Sequence, residues 1–188
     1  MLGYNEIIDY QEPLDRVYAT FKTTHGNITV VLFAKECPQT VWNFINLAEG
    51  RQPTNRKGPF YNGTLFSRIT KDVLIMGGEY SPEGRLDVGY KFGDELYFTH
   101  DRAGILSMAN EGPGTNGSAF FITLNPAHHL DGRHSVFGKV VKGMDVVQKI
   151  AALETKTYDQ PVEDVIIHEI LIDRKSGKNP FLRWLRGY

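Results

Sequence analysis

A series of short β-prone runs separated by turn residues is the feature that most constrains the fold of this chain. The runs are rich in Val, Ile, Phe and Thr, and turn signals such as Asn62-Gly63 stand between them. Several alternate in character, with Ile28, Val30 and Leu32 on one face of the second run. The pattern predicts eight strands, over residues 17–22, 28–33, 64–69, 73–76, 105–108, 119–124, 135–141 and 165–172.

Two segments have the spacing of amphipathic helices instead. Apolar residues recur every three to four positions over residues 38–49, with Pro38 in the first turn and Gly50 just past the end. A second stripe over residues 144–153 follows Gly143. With two helices among eight strands, we expect a mainly β fold, an antiparallel barrel capped by the helices, rather than a parallel βαβ sheet.

The length and composition suit one globular domain. A chain of 188 residues, of which 41% are hydrophobic, can bury about two thirds of the surface that it exposes when unfolded. We expect an N-terminal extension at residues 1–16, the domain at 17–174 and a tail at 175–188. The tail carries Phe181 and Trp184 among basic residues. It either binds a partner or a membrane, or packs back on its own barrel, which we favour.

Charge and cysteine content limit the partners and the compartment. The formal net charge is -1, from 21 basic and 22 acidic residues, so electrostatics predict neither nucleic-acid nor membrane binding. Residues 1–15 carry four acidic side chains and lack the pattern of a signal peptide. Cys37 is the only cysteine, which fits a reducing compartment and a buried, inert thiol. We therefore predict a cytoplasmic monomer.

Residues 77–100 contain five glycines and one proline, which predicts a long ordered loop rather than regular structure. Long loops inside compact domains are usually functional.

Two motifs suggest other functions, but the residues around them do not fit those functions. Residues 112–117, GPGTNG, match the dinucleotide fingerprint G-x-G-x-x-G, but that fingerprint opens a helix, whereas a predicted strand follows here. His128 and His129 are adjacent and point apart, and the other histidines have no metal-ligand spacing. We therefore expect no metal and no cofactor.

Seven segments between residues 60 and 144 together resemble the cyclophilin family. Each alone is a weak signal, but their order and spacing are specific, and the resemblance covers about residues 17–173. The segments are FYNGTLFSRI (60–69), IMGGE (75–79), GYKFGDE (89–95), LSMAN (106–110), GPGTNGSAFFI (112–122), LDGRH (130–134) and VFGKVVKGM (136–144).

The resemblance implies an eight-stranded antiparallel barrel with two helices, and the cis/trans isomerisation of peptide bonds that precede proline. That reaction crosses a resonance barrier of about 18–20 kcal/mol and needs no nucleophile, metal or cofactor. A cation that donates to the proline nitrogen favours the twisted amide, in which that nitrogen regains its lone pair. Arg68 matches the family's arginine and is the predicted catalytic residue.

The resemblance also assigns the binding residues for proline-containing peptides or protein clients. Phe121 and Leu130 match walls of the proline pocket, and His134 matches a position at its rim. The backbone at Ala109 and Asn110 is expected to bind the peptide carbonyl.

Several positions depart from the family's pattern. Ser67 replaces a histidine, Val73 and Leu74 replace an apolar wall of Phe and Met, and His129 stands where tryptophan is often found. We therefore predict weak or no binding of cyclosporin.

Two further departures concern the arginine. Met76 and Ala119 replace the glutamines that orient the family's arginine and the bound backbone. Three hypotheses stay open from this point: a peptidyl-prolyl isomerase that assists protein folding, at full or reduced activity, a non-catalytic module that binds proline peptides, and a barrel recruited to another small-molecule reaction. Glu79 and Glu111 near the groove either select basic peptides or are solvated loop charges.

Overall fold

The computed structural model describes residues 16–174. The predicted extension, residues 1–16, lies outside the described residues except for Arg16, and the predicted tail, residues 175–188, lies wholly outside them. Where the tail packs therefore stays a prediction. The strands are β1 Val17–Thr23, β2 Gly26–Leu32, β3 Thr64–Thr70, β4 Leu74–Gly77, β5 Tyr80–Ser81, β6 Gly84–Arg85, β7 Ile105–Met108, β8 Phe120–Thr123, β9 Val136–Lys142, β10 Thr155–Lys156, β11 Gln160–Pro161 and β12 Ile166–Arg174. The helices are α1 Pro38–Glu49 and α2 Met144–Ala151.

Eight of these strands form a closed barrel in the order β1-β12-β3-β4-β8-β7-β9-β2, with every pair antiparallel. The predicted fold class and the eight predicted strands are confirmed, with strand ends that agree to within two residues. The alternation in β1 shows why the sequence closes this way. Val17, Ala19 and Phe21 are fully buried in the core, and the residues between them are partly exposed.

Three details of the prediction are corrected. β4 begins at Leu74 rather than Val73, because Asp72 is left-handed and the Val73 N–H closes a turn onto the Thr70 carbonyl at 3.0 Å. α2 ends at Ala151, since the Leu153 N–H bonds three residues back to Ile150.

The third correction concerns short strands. The loop over residues 77–100 is mostly irregular, as expected, but contains the two-residue strands β5 and β6, and β10 pairs with β11 in a second small sheet. Two-residue strands are too short for an alternation pattern to reveal.

A cluster of phenylalanines fills the barrel. The Phe21 ring lies 5.3 Å from that of Phe120, 5.9 Å from that of Phe44 and 6.5 Å from that of Phe66, measured between centroids. Burying one such side chain contributes about 1.5–3 kcal/mol. Because β3 and β8 supply two of these rings, the core fixes the strands that carry the candidate site on their outer face.

The long loop is tied to helix α1. The Glu95 carboxylate accepts hydrogen bonds from the backbone N–H groups of Gln39, at 3.2 Å, and Thr40, at 2.8 Å, and from the Thr40 hydroxyl at 2.7 Å. A carboxylate from the loop thus satisfies the open N–H groups at the helix N-terminus.

A second anchor is the buried Asn116 side chain. Its amide donates to the carbonyls of Phe92 and Gly93, both at 3.1 Å, and to Asp94 Oδ1 at 2.7 Å. The segment 112–117 is therefore bonded to the long loop, and the residues after it form strand β8 rather than a helix. This confirms that the glycine motif is not in a dinucleotide-binding context.

Cys37 is buried, and its thiol donates to the Val136 carbonyl with Sγ and O 3.2 Å apart. Burial, and then the carboxylate of Glu95, raise the pKa of the Cys37 thiol far above its ordinary value. The prediction of a buried thiol is confirmed, and the raised pKa agrees with the expected low reactivity. No helix within residues 16–174 has the length and apolar character needed to cross a membrane.

Candidate active site

Three predicted site residues lie side by side on neighbouring strands. Arg68 of β3 pairs with Met76 of β4, and Met76 pairs with Phe121 of β8. Adjacent strands are about 4.7–4.9 Å apart, so the backbones of Arg68 and Phe121 are separated by about 10 Å. This row forms the floor of the candidate site.

A β-bulge at Ser67 turns Arg68 out of the barrel. Phe66 pairs with Gly77 and Arg68 with Met76, so β3 contains one more residue than β4 across this step. In a regular strand Phe66 and Arg68 share a face. Here Phe66 is in the core and Arg68 is exposed. The bulge therefore presents the guanidinium on the outer surface, beside Met76.

At the other end of the row, Phe121 is the centre of an apolar wall. The Phe121 side chain is 2% exposed, His100 stacks on it at 5.6 Å and 20°, and His134 meets it edge-on at 5.5 Å. Phe121, predicted as a wall of the proline pocket, and His134, predicted at its rim, therefore lie in contact. His100 is an additional member that the sequence did not indicate.

The hydrogen bond of His134 identifies its tautomer. The Met108 carbonyl lies 3.0 Å from Nδ1 and can only accept, so Nδ1 carries the proton. Burial lowers the pKa of His134 below its ordinary value, and the bond to Met108 opposes this in part. The ring is therefore neutral at pH 7, and its Nε2 is an acceptor.

His100 connects the apolar wall to the segment that carries Leu130. Asp131 Oδ1 accepts from the His100 backbone N–H at 2.7 Å and from its Nδ1 at 2.8 Å, and Nε2 meets the Ser107 hydroxyl at 3.0 Å. Burial lowers the pKa of His100, and the bond to Asp131 opposes the shift. Ser107 is fully buried, so this chain of contacts is a support and not a nucleophile.

Leu130 closes a 3-10 turn, His128–Leu130, directly before Asp131. Leu130 is half-buried, whereas His129 is exposed to solvent. The Ala127 N–H at the start of this turn donates to the His100 carbonyl at 2.7 Å. His100 therefore supports Phe121 by stacking and Leu130 through the backbone.

A cavity of about 560 Å³ opens beside Arg68 on the β4 side. It brings together five predicted site residues, Arg68, Met76, Ala109, Asn110 and Ala119. The Ala109 N–H donates to the Ala119 carbonyl at 3.0 Å. The Asn110 side chain donates to the Arg133 carbonyl at 2.9 Å, which fixes the backbone of the segment expected to bind the peptide carbonyl.

Val73 and Leu74 lie at the far end of the β3–β4 turn. Both are half-buried, and Leu74 pairs with Thr123, two residues along β8 from Phe121. Neither lines the cavity of about 560 Å³. Their assignment to the proline-pocket wall stays a prediction.

Residues 18–171 match the family model described as cyclophilin type peptidyl-prolyl cis-trans isomerase/CLD. The chain belongs to the cyclophilin family. Its enzymatic activity is accordingly the cis/trans isomerisation of the peptide bond before proline, as the sequence predicted.

Relatives with this activity in their names come from distant organisms. Peptidyl-prolyl cis-trans isomerase A of Mycobacterium tuberculosis is 40% identical over 171 residues, covering 85% of this chain and 94% of its own. Peptidyl-prolyl cis-trans isomerase-like 1 of Homo sapiens is 44% identical over 151 residues, covering 78% and 86%.

Solved structures agree with the cyclophilin assignment. The crystal structure of a Cryptosporidium parvum cyclophilin type peptidyl-prolyl cis-trans isomerase has a TM-score of 0.72 at 30% identity and covers 88% of this chain and 99% of that one. A structure of the same protein in the presence of the dipeptide Ala-Pro has a TM-score of 0.71 at 30% identity, covering 83% and 98%.

The arginine of this cyclophilin contacts an acidic residue that the sequence did not indicate. Arg68 Nη2 donates to Asp159 Oδ2 at 3.4 Å, and the two side chains are 50% and 47% exposed. Within residues 16–174 this is the one hydrogen bond described for the Arg68 guanidinium. Asp159 thus stands as its partner where Met76 and Ala119 have no side chain that can accept.

The two loop carboxylates that the sequence left undecided differ in their surroundings. Arg85 Nη2 lies 2.8 Å from Glu111 Oε1 and 3.3 Å from Glu79 Oε2. Glu111 is largely exposed, and its hydrogen bond from Arg85 lowers its pKa. Glu79 is mostly buried and borders the groove at Arg68. Both carboxylates line the cavity beside Arg68, so which of them affects peptide choice stays open.

Proposed function

We propose that this cyclophilin isomerises X-Pro bonds with the proline ring held by Phe121, Leu130 and His134 and the amide placed under Arg68. The observation that carries this proposal is the row of Arg68, Met76 and Phe121 on adjacent strands. It separates the backbones that carry the cation and the apolar wall by about 10 Å. A proline and the residue before it span at most about 7 Å, so both fit within this row.

The chemistry follows from the amide. When the bond twists, the proline nitrogen loses conjugation and becomes a better acceptor, and a guanidinium donor at that nitrogen interacts more strongly with the twisted than with the planar form. Arg68 supplies that donor. The Asn110 backbone holds the carbonyl side, and neutral His134 offers a rim that does not repel the guanidinium.

We propose further that turnover is slow relative to binding. Met76 and Ala119 offer no side-chain hydrogen bond to Arg68, and the contact with Asp159 is long and solvated. Three contacts weakened by about 1 kcal/mol each reduce a rate on the order of a hundredfold.

The test is a proline-isomerisation assay with wild type, Arg68→Ala and Lys71→Ala. Lys71 is an exposed basic residue just beyond the end of β3 and serves as the matched control. We expect Arg68→Ala to lower kcat/KM by about a hundredfold, and Lys71→Ala to leave it unchanged. Equal rates for wild type and Arg68→Ala at the uncatalysed level exclude the proposal.

The solvent exposure of Arg68 favours a second candidate function. In it, the protein binds proline peptides without isomerising them. NMR exchange spectra of a labelled Ala-Pro peptide separate the two. Exchange peaks between cis and trans forms that appear only with protein show catalysis. Saturable shifts without such peaks show binding alone.

Further expectations concern ligands and location. His129 is exposed and polar where a large aromatic ring is often found, so cyclosporin binds weakly, and a nanomolar Kd contradicts this. The protein acts as a monomer on proline-containing peptides, without nucleic acid or membrane, which light scattering and binding assays check. The buried lone Cys37 supports a cytoplasmic site of action, which cell fractionation tests.

A further inference from the structure

A second cavity, of about 520 Å³, lies on the opposite side of Arg68 from Ala109 and Asn110. Arg68, Met76 and Glu79 line both cavities and form the wall between them. The second cavity reaches past the edge of β3 to the turn between β10 and β11, where Tyr158 and Asp159 complete it. None of the residues expected to hold proline or the peptide carbonyl is part of it, apart from Arg68 and Met76.

The backbone at Tyr158 and Asp159 is held in an unfavourable conformation. Their φ angles are 64° and 60°, in the left-handed region, which costs a residue other than glycine about 1–2 kcal/mol. The flanking pairs between β10 and β11, Thr155 with Pro161 and Lys156 with Gln160, hold the turn in place. As a result, the Tyr158 side chain stands 91% exposed in front of the cavity.

The charged groups of this cavity are two carboxylates and the Arg68 guanidinium. Glu79 and Asp159 contribute carboxylates, and Asp159 uses only Oδ2 in its contact with Arg68. The Ser67 hydroxyl is buried and has no hydrogen-bond partner among residues 16–174. The rings of Tyr80 and Tyr158 add aromatic faces that attract cations.

These features fit a long cationic side chain. The aliphatic stem of lysine or arginine packs against Met76 and the tyrosine rings, and its head group meets the carboxylates of Glu79 and Asp159. The lining carries two carboxylates and one guanidinium, so its net charge is negative and disfavours an acidic side chain.

We propose that this cavity binds a lysine or arginine side chain of the same peptide whose proline lies on Phe121, and so gives the enzyme a preference for basic residues near proline. The inference rests on the proposed function in one respect, that the peptide crosses Arg68. Each extended residue advances about 3.3–3.6 Å, so the basic residue stands within about two or three positions of the isomerised bond.

The experiment compares peptides that differ in one side chain. A series carries lysine, glutamine or glutamate at each of the three positions before and after an Ala-Pro bond, and NMR titration gives the Kd of each. At one position we expect lysine to bind about three- to tenfold more tightly than glutamine, and glutamate to bind more weakly. This preference decreases as salt is raised.

Variants locate the preference. Glu79→Gln and Tyr158→Ala are expected to bring the ratio of the lysine and glutamine Kd values to about one. Asp87→Asn is the matched control, because Asp87 is an exposed carboxylate that lines the other cavity. It keeps the wild-type ratio.

Turnover recorded in the same samples separates this inference from the proposed function. Equal Kd values for lysine and glutamine at all positions overturn the inference, even when every peptide is isomerised. A lysine preference that Asp87→Asn abolishes and Glu79→Gln retains also overturns it. A lysine preference lost in Glu79→Gln, without any catalysed exchange, supports the inference and contradicts the proposed catalysis.

Discussion

The two ends of the candidate site differ in how firmly their side chains are held. At the apolar end, Phe121 is buried between His100 and His134, and each histidine is held by further bonds. At the polar end, Arg68 is half exposed and has one described hydrogen bond, at 3.4 Å, to Asp159. Phe121, at the apolar end, is held by buried contacts within the folded barrel. Arg68, at the polar end, is held by an ion pair that is open to solvent.

The difference separates binding from turnover. Because the residues proposed to hold proline are packed when the barrel folds, we expect their loss to lower stability as well as affinity. Because the guanidinium is weakly restrained, substitutions around it change rate with little effect on folding. The following predictions test this division from the largest expected effect to the smallest.

Phe121→Ala is expected to lower the free energy of unfolding by about 3–5 kcal/mol, since it leaves a cavity between two rings, and to abolish peptide binding. Phe137→Ala, at another fully buried phenylalanine, is the control. It should destabilise the protein comparably and leave the peptide Kd of the folded fraction unchanged. Urea unfolding and NMR titration give both quantities. Undiminished peptide affinity in Phe121→Ala contradicts the assigned pocket.

The buried histidines predict a loss of stability in acid. Burial lowers the pKa values of His100 and His134 below 6.5 in the folded state, so the unfolded chain binds protons more readily. The stability is therefore full above about pH 6.5 and decreases as the pH falls through the folded-state values, by about 1.4 kcal/mol for each unit of pKa difference.

Urea unfolding at pH 7 and pH 5 measures this effect. His100→Asn should be less stable at pH 7 and have a smaller change between the two pH values. His168→Gln, at an exposed histidine of β12, is expected to behave as wild type. An unchanged pH dependence in His100→Asn argues against the role of His100.

Met76→Gln tests whether Arg68 lacks a neighbouring side chain that accepts a hydrogen bond and orients its guanidinium. Residue 76 is paired directly with Arg68, so a glutamine oxygen there can accept from the guanidinium. We expect kcat to rise about three- to tenfold with little change in KM. Met76→Leu controls for the change in packing and should leave kcat unchanged. A kcat for Met76→Gln at or below that of Met76→Leu removes the explanation offered for slow turnover.

Asp159→Asn should have the smallest effect. An exposed ion pair contributes about 0.2–1 kcal/mol, so kcat is expected to fall two- to threefold, and Asp159→Glu to recover part of the loss. In the Met76→Gln background the same substitution should cost less, because the guanidinium then has a second acceptor. Additive effects in this double-mutant cycle show that the two positions do not act on the same group.

The sequence predicted the barrel well because its signals are local. Alternation within seven residues of β1, and the proline and glycine that bound α1, are visible without knowledge of the fold. The same locality explains the errors. The start of β4 depends on a left-handed Asp72, and two-residue strands such as β5 carry no period.

The site was predicted only where the family resemblance reached. His100 and Asp131 are 31 residues apart, and Arg68 and Asp159 are 91 residues apart. Neither pair has a spacing that predicts contact, since the barrel alone brings them together. The bulge at Ser67 is likewise invisible in sequence, because an ordinary run of β-prone residues contains it.

The bulge makes the enzyme sensitive to the number of residues in β3 as well as to their identity. Loss of the single codon for Ser67 makes Arg68 the direct neighbour of Phe66, so alternation keeps Arg68 on the outer face and only the bulge is lost. Loss of Ile69 instead places Thr70 on the inner face, where Ile69 is buried. β3 is bonded to β12 on one side and β4 on the other, so it cannot slide to compensate. An in-frame deletion of Ile69 is therefore expected to damage the protein more than a deletion of Ser67, and genetic surveys limited to point changes do not detect this difference.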